Sequence, residues 1–380
     1  MTEKILIVTS RRPFSCTDAD GGSMTVDNLW DSLHGIADVD FLVPDSYQGT
    51  YLEGDSSFYT YVIPRELEFK DWGKLKFQDR IQASRLVADR IRSLASFYDK
   101  IIVVHVFHAF GLCKLEDGPI LNKMVIFPMF LTPSYLLCHE VVPPVYTELE
   151  MTVLNRVGKI ITPSHFEREQ LIGYYRVDPS KVIVIPRYVN DVFCTNSFRR
   201  SITPLSICYI ASIKCQKRND LALELLEAIK KKHDIRLYIV GSVFDEGLFE
   251  RMISYLAEHN INEEVVFLHS LDQTELNDLY SRVFLNISVA SCETFGRAII
   301  EGLKSGLPAV VLKGITCFDL LIGEGNGVIY SESIEEMADI IVRLYNDRNE
   351  YDRLSQAAAV FGRRFSKESI QPSFIYELCR

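Results

Sequence analysis

The 380-residue sequence is short of several things, and each shortage excludes a class of protein. No stretch sustains the roughly 18 apolar residues that a membrane-crossing helix needs. The nine cysteines are scattered singly, without a C-x-x-C pair or a regular His/Cys spacing, which argues against a structural zinc framework and for reduced, buried thiols. Positive charge is in deficit: Lys and Arg total 41 against 51 Asp and Glu, a formal net charge of −10. That balance opposes any general attraction to nucleic acid or anionic lipid, while leaving the phosphates of a small ligand as partners for a local basic patch. There is no low-complexity tract, internal repeat or long linker. The opening segment turns basic and polar at Arg11-Arg12, too soon for a secretory signal, so a cytoplasmic protein is expected.

What is present is an ordinary globular composition, 47% hydrophobic and 24% charged, on a chain longer than one core usually supports. Two domains are therefore expected. Short β-branched runs alternate with longer amphipathic stretches, the mark of parallel strands joined by helices in an α/β fold. Strand candidates run from Lys4 to Thr9, Asp40 to Val43, Lys100 to Val104, Met124 to Phe127, Lys159 to Thr162 and Lys181 to Ile185. A second series runs from Leu205 to Ile210, Arg236 to Val240, Val265 to Leu268, Phe284 to Ile287 and Pro308 to Leu312. Neither series alternates apolar with polar, as befits strands covered on both faces. The boundary is expected near residue 190, giving a first domain over 1–190 and a second over 191–364. A helix over 365–380, capped by Ser366, is expected to leave the second domain and return to the first.

A long helix is expected from Asp71 to Phe97, carrying Lys74, Lys76, Arg80, Arg85, Arg90 and Arg92. The simplest reading is a solvated face. A basic amphipathic helix can also rest peripherally on a membrane surface, but Asp79 and Asp89 break the charge run.

The strongest chemical signal lies between Ser291 and Pro308. Strand, loop, helix and turn follow one another, with Glu293 in the loop, a helix starting near Gly296, and Gly306 and Pro308 ending it. In open α/β sheets such a loop lies at the carboxyl ends of the strands, where ligands bind. The amides of Phe295, Gly296 and Arg297 would point out of the helix start, a natural seat for phosphate or sugar oxygens. Gly296 is expected to let a ligand approach closely. Glu301 lies about one and a half turns into the helix, within reach of a sugar diol beside the same loop.

Glu293 and Glu301 with seven residues between them, Phe295-Gly296 and Ser305-Gly306-Leu307-Pro308 together resemble the hallmark of the retaining glycosyltransferases of family four, the group 1 transferases. The resemblance implies a GT-B architecture, with two Rossmann-like domains facing across a cleft. It implies that Glu293 contacts hydroxyls of the transferred sugar, with Thr294 beside it, that the Phe295 and Gly296 amides line the sugar-phosphate, and that Glu301 binds the ribose. The family's Gly-Arg-x4-Lys-Gly loop is matched by Ala211 to Arg218, where Lys217 falls on the lysine and Ser212 replaces the arginine. Lys214 or Arg218 is then left to supply the missing donors. Leu237 to Gly241 resembles the family's strand and glycine turn, and Ser270 and Leu271 follow the strand whose loop holds the base. In the first domain Gly21 and Gly22 resemble the glycine pair after the first strand, and His108, preferred over His105, stands where a histidine approaches the sugar and acceptor.

The function implied is transfer of a hexose or N-acetylhexosamine from a nucleotide-sugar to a hydroxyl of a glycan, lipid-linked or small-molecule acceptor. A UDP-sugar is favoured, with GDP-mannose as the other candidate. The family resemblance implies retention by same-face substitution, with the donor phosphate helping to deprotonate the acceptor. No cofactor is expected beyond the donor as substrate. No metal is expected either, because no D-x-D triplet stands in a suitable loop, Asp18-Ala19-Asp20 lying in the domain that does not hold the donor, and because the lysine and backbone dipoles can do the neutralising. Two other readings are a UDP-sugar epimerase of the same fold and a nucleotide-sugar-binding subunit without turnover, the latter suggested by Ser212. Departures at Arg187-Tyr188, Phe127 to Thr132, Gly314-Ile315 and Asp319 face the acceptor side, so the acceptor does not carry over from the resemblance.

Overall fold

The computed structural model describes residues 2–10, 21–44, 58–61, 76–194, 204–314, 316–323 and 325–379. The chain forms two compact units, Met1–Arg187 with Gln371–Arg380, and Tyr188–Ile370. Both junctions differ by a few residues from the sequence reading. Tyr188 to Asn190 belong to the second unit, where the Val189 amide donates to the Phe365 carbonyl at 2.8 Å. The stretch 365–370 belongs there too.

The first unit contains β1 (Lys4–Val8), α1 (Gly21–Leu33), β2 (Asp38–Pro44), β3 (Phe58–Tyr61), α2 (Phe77–Leu94), β4 (Lys100–Val104), α3 (Gly118–Asn122), β5 (Met124–Phe127), α4 (Thr132–Leu137), α5 (Pro144–Arg156), β6 (Lys159–Thr162), α6 (His165–Gly173) and β7 (Val182–Val184). The second contains β8 (Leu205–Ile210), α7 (Asn219–Lys230), β9 (Ile235–Val240), α8 (Glu246–Glu258), β10 (Val265–Leu268), α9 (Gln273–Arg282), β11 (Leu285–Ser288), α10 (Arg297–Lys304), β12 (Ala309–Leu312), α11 (Thr316–Leu321), β13 (Val328–Ser331), α12 (Ile334–Asn346) and α13 (Arg348–Gly362). A last helix, α14 (Lys367–Leu378), starts in the second unit and ends in the first.

Both sheets are parallel, in the order β3-β2-β1-β4-β5-β6-β7 and β10-β9-β8-β11-β12-β13. Parallel sheets need cover on both faces, and the strands accordingly read as unbroken apolar runs: Ile5, Leu6, Ile7 and Val8 are all fully buried. The covering helices are amphipathic at the helical period. In α2, Ala83, Val87 and Ile91 recur every fourth residue and are buried against Leu6 and Val103. In α12, Met337, Ile341 and Leu344, four and then three residues apart, are buried against the second sheet. Each of these side chains larger than alanine contributes about 1.5–3 kcal/mol relative to exposure.

Two strands escaped the sequence reading, β3 and β13, and both are sheet edges. An edge strand needs no continuous apolar run, and in β13 Ile329 and Tyr330 stay half-exposed. The helix expected from Asp71 starts at Phe77, residues 71–75 lying outside the described ones, and ends in a 3-10 turn, Ala95–Phe97. Its arginines are not all a solvated face. Arg80 is buried, and Arg92 is held by Asp117 at 2.8 and 2.9 Å and by the Gly111 carbonyl. Among the described residues no helix is long and apolar enough to cross a membrane.

The end of α14 is fixed in the first unit by Lys100, which donates to the Leu378 carbonyl at 2.9 Å, and by Lys159, which pairs with Glu377 at 2.8 Å. Phe374 and Leu378 are buried there.

Topology dictates where ligands go. In each sheet the chain winds outward from one central strand and then restarts on its other side, so the switch lies between β1 and β4 and between β8 and β11. The carboxyl ends of those strands carry the loops most exposed to a ligand.

Gly327 precedes β13 with φ +89°, and a Cβ there would come within 2.4 Å of Ala358 in α13. Gly327→Ala is expected to lower stability by roughly 2 kcal/mol or more through strain and overpacking. Gly247→Ala, whose added methyl meets ordinary contacts at 3.6 Å, is expected to be neutral or better. Urea denaturation of both variants against the parent measures the difference.

Candidate functional site

In the second unit the loops after β8 and β11 are joined at the switch point. The Gln216 carbonyl accepts both the Ser291 amide, at 2.9 Å, and the Ser291 hydroxyl, at 3.1 Å. Below it, the buried Tyr209 hydroxyl donates to the Lys217 carbonyl. These bonds fix the 3-10 turn Cys215–Lys217 and aim Lys217 across the gap, where its ammonium forms an ion pair with Glu293. The two side chains are 18% and 22% exposed, so the pair is sheltered yet open to a ligand.

Gly296 caps α10 with φ +70°, a left-handed conformation that favours glycine. A Cβ at this position would lie 1.9 Å from the Phe318 ring. A close approach that demands glycine is therefore the one to α11 beneath the loop. Phe295 is buried edge-on against Phe365 at 5.9 Å, which sets the backbone from below. Thr294 is half-buried between Glu293 and this anchor. The Ile299 and Ile300 amides both donate to the Gly296 carbonyl, at 3.0 and 3.3 Å, closing the first turn of α10. At its other end Gly306, at φ +71°, donates to Leu303 and Leu307 donates to Gly302, both at 2.8 Å, the Schellman arrangement.

Glu301 faces inward from α10 and is 7% exposed. Burial pushes its carboxyl up to about 7, with the Arg297 guanidinium, 4.0 Å away, opposing the shift. Arg297 also donates to the Tyr188 carbonyl at 3.4 Å. One turn on from Glu301, the buried Lys304 donates to the carbonyls of Val189 and Asn190, at 2.8 and 3.1 Å, and pairs with Asp191 at 2.6 Å. Helix α10 thus holds the segment by which the chain enters this unit.

Gly241 ends β9 where a Cβ would meet the Ala211 carbonyl at 2.4 Å, so glycine lets the loops after β8 and β9 lie together. Ser212 is half-buried in that contact. Arg218, where the family loop has glycine, adopts a left-handed φ of +49° and caps α7. Ser270 is exposed and Leu271 half-buried after β10, just before the Asp272 cap of α9. No hydrogen bond joins either of them to the Lys217–Glu293 pair.

In the first unit the switch point is flanked by the start of α1 and the end of β4. Gly21 and Gly22 are the first residues of a helix rather than part of an open loop; Asp18, Ala19 and Asp20 lie outside the described residues. After β4, His105 is a non-glycine residue at φ +81°, a strained setting of the kind that collects at functional sites. His108, preferred from the sequence, is fully buried: its ring stacks on Phe107 at 4.1 Å and its Nδ1 lies 3.1 Å from the His105 carbonyl. Of the two, His105 is the one with exposed surface.

The sequence profile of the glycosyl transferases group 1 matches residues 196–361, and that of glycosyltransferase family 4 matches 38–192. The chain belongs to glycosyltransferase family 4. Among curated members of the family, the D-inositol 3-phosphate glycosyltransferase of Mycobacterium sp. (strain KMS) is 25% identical over 44% of this chain and 40% of its own length. That of Mycolicibacterium smegmatis is 25% identical over 59% of this chain and 53% of its own. The chain thus spans about half the length of the curated relatives it matches, or less. Solved structures of sucrose-phosphate synthase from Thermosynechococcus elongatus (TM-score 0.79, 15% identity) and of Anabaena HepE with UDP and glucose (TM-score 0.73, 14% identity) each cover 99% of both chains. At these identities the likeness establishes the fold, that of the GT-B transferases.

Against the family pattern, the structure brings Lys217, Glu293, Phe295, Gly296, Arg297 and Glu301 to one switch point. Missed from the sequence were Tyr209, Gln216 and Ser291, which tie the loops together, and Lys304. A buried lysine inside an apolar helix was the one visible signal among them.

The Glu301 carboxyl is protonated in the folded chain up to about pH 7 but ionises near 4.3 when unfolded. The folded state therefore binds more protons between those values, and stability falls as pH rises through that window. Glu301→Gln is expected to remove this part of the slope, on the order of 3 kcal/mol by pH 8. Denaturation at pH 5 and pH 8 for both proteins measures it; an unchanged slope in the variant means Glu301 is ionised in the fold.

Proposed function

We propose that this chain is a retaining, metal-independent glycosyltransferase that moves a hexose or N-acetylhexosamine from a nucleotide-sugar to an acceptor hydroxyl. The observation that carries the reading is the Lys217–Glu293 ion pair set between two switch-point loops beside the start of α10. Cleaving the sugar-phosphate bond develops negative charge on the diphosphate and positive charge on the sugar ring. Lys217 and the α10 amides stabilise the first as fixed, preorganised charges and dipoles. Glu293 orients the sugar through its hydroxyls, and Glu301 takes the ribose diol. Ligand binding then exchanges the Lys217–Glu293 contact for two separate ones, so neither charge is left buried and unpaired.

In place of the arginine that Ser212 lacks, the fork of donors comes from Arg218, whose guanidinium has no ion-pair partner among the described residues. His105 replaces His108 as the first-unit histidine that meets the sugar and acceptor. Same-face substitution, with the leaving phosphate taking the acceptor proton, requires no protein base, which leaves Glu293 free to orient the sugar.

UDP is the favoured nucleotide because Anabaena HepE is solved with UDP and glucose and an E. coli trehalose-6-phosphate structure with UDP-2-fluoro glucose. A small phosphorylated polyol is one acceptor class to screen, after the name of the mycobacterial relatives; glycan and lipid-linked hydroxyls are the others.

A thermal-shift screen of nucleotide-sugars, followed by transfer assays with the stabilising donor, tests the proposal. Lys217→Met is expected to lower transfer on the order of 10²- to 10³-fold, and a chelator to leave it unchanged. Wild-type transfer that survives Lys217→Met undiminished removes the assignment. Arg218→Gly is expected to relieve left-handed strain and raise stability by a few tenths to about 1 kcal/mol while weakening UDP binding. Urea denaturation and calorimetric titration with UDP read the two effects separately.

A further inference from the structure

The first unit buries a guanidinium that makes no ion-pair contact with a carboxylate among the described residues. Arg80, in α2, is 8% exposed and has no acidic side chain within ion-pair distance among the described residues. Its Nη1 donates instead to the Tyr135 hydroxyl at 2.6 Å and the Tyr146 hydroxyl at 3.4 Å. Its charge lies against three aromatic rings, Phe77 at 5.5 Å, Tyr135 at 5.6 Å and Phe107 at 5.9 Å. A buried cation is costly to keep unless its neighbours require it. Methionine or leucine would fill this space more cheaply.

What the cation touches suggests why it is there. Phe107 belongs to the 3-10 turn Val106–Ala109 that follows β4. Its ring stacks on His108 at 4.1 Å and meets His105 edge-on at 4.6 Å. His105 holds a strained φ of +81°, so something outside the residue must hold it. Tyr135, in α4, and Tyr146, in α5, brace the other side of the guanidinium, and Tyr146 packs edge-on against Phe110 at 4.9 Å. Arg80 therefore ties α2, α4 and α5 to the turn that carries both histidines.

We propose that Arg80 is a positioning residue for His105, acting through the face of Phe107. A guanidinium over a ring is directional: it fixes the plane of Phe107, and that plane fixes the imidazole that leans on its edge. The inference rests on the reading of His105 as the residue that meets the sugar and acceptor, but the contact chain is testable without it.

The experiment compares histidine ring resonances, donor binding and transfer in wild type, Arg80→Met and Phe107→Leu. Arg80→Met keeps the volume and removes the charge and donors. In both variants the His105 and His108 ring protons are expected to move toward their positions in an unstructured peptide, as the ring current of Phe107 is displaced or lost. The thermal shift given by UDP alone, which carries no sugar, stays unchanged, while kcat falls about tenfold or more through misplacement. Added methylguanidinium is expected to restore part of the kcat of Arg80→Ala, an effect that general loss of stability would not produce. Should Arg80→Met fail to fold, Phe107→Leu and the rescue of Arg80→Ala carry the test. Unmoved histidine resonances in the folded variants overturn the proposal whatever the activity. Resonances that move while transfer is unaffected leave the positioning contact standing and remove His105 from the reaction.

Discussion

The carbonyl of Gln216, accepting two hydrogen bonds from Ser291, holds together everything else proposed for the second unit. Parallel strands deliver their carboxyl ends to one edge, but adjacency of β8 and β11 alone leaves their loops free to splay. The paired bonds remove that freedom, and the Tyr209 hydroxyl fixes the Lys217 backbone from the core side. Only then do an ammonium from one loop and a carboxylate from the other meet as an ion pair at the start of α10. Phe318 under Gly296 and Phe365 under Phe295 do for that helix start what Tyr209 does for the first loop.

Buried charge is handled differently at each place it occurs. Lys304 is surrounded by three oxygen acceptors. Glu301 has one guanidinium, 4.0 Å away, and its carboxyl rises to about 7. The difference fits their tasks: Lys304 anchors a chain segment permanently, whereas a ligand hydroxyl can complete the solvation that Glu301 lacks. Arg80 is a third solution, with aromatic faces and phenolic oxygens standing in for a counter-ion. In the same unit Glu150, buried and accepting from Thr132 and Tyr175, is likewise raised to about 7 by desolvation.

Central parallel strands were readable because burial on both faces writes itself as an apolar run, and Lys100–Val104, Met124–Phe127 and Lys159–Thr162 match residue for residue. Of the four edge strands, β7 and β10 were read from their apolar runs, whereas β3 and β13, Phe58–Tyr61 and Val328–Ser331, carry polar residues inside short runs and were not. The Ser291 to Pro308 segment carried its own punctuation: Gly296 before the helix and Gly306 after it. The reason for Gly296 did not show, because Phe318 comes from a helix that local pattern cannot place. Nor could His105 be preferred over His108. Burial of His108 depends on packing around Arg80, which comes from a helix distant in sequence.

The most direct measurement is calorimetric titration of wild type and Glu293→Gln with UDP and with the cognate UDP-sugar. If donor binding opens the Lys217–Glu293 pair, the variant frees Lys217 for the diphosphate, so UDP binds as tightly as before or more so, while the extra affinity contributed by the sugar is lost. Equal weakening of UDP and UDP-sugar would contradict the account, because Glu293 would then be holding the loop together rather than waiting for the sugar.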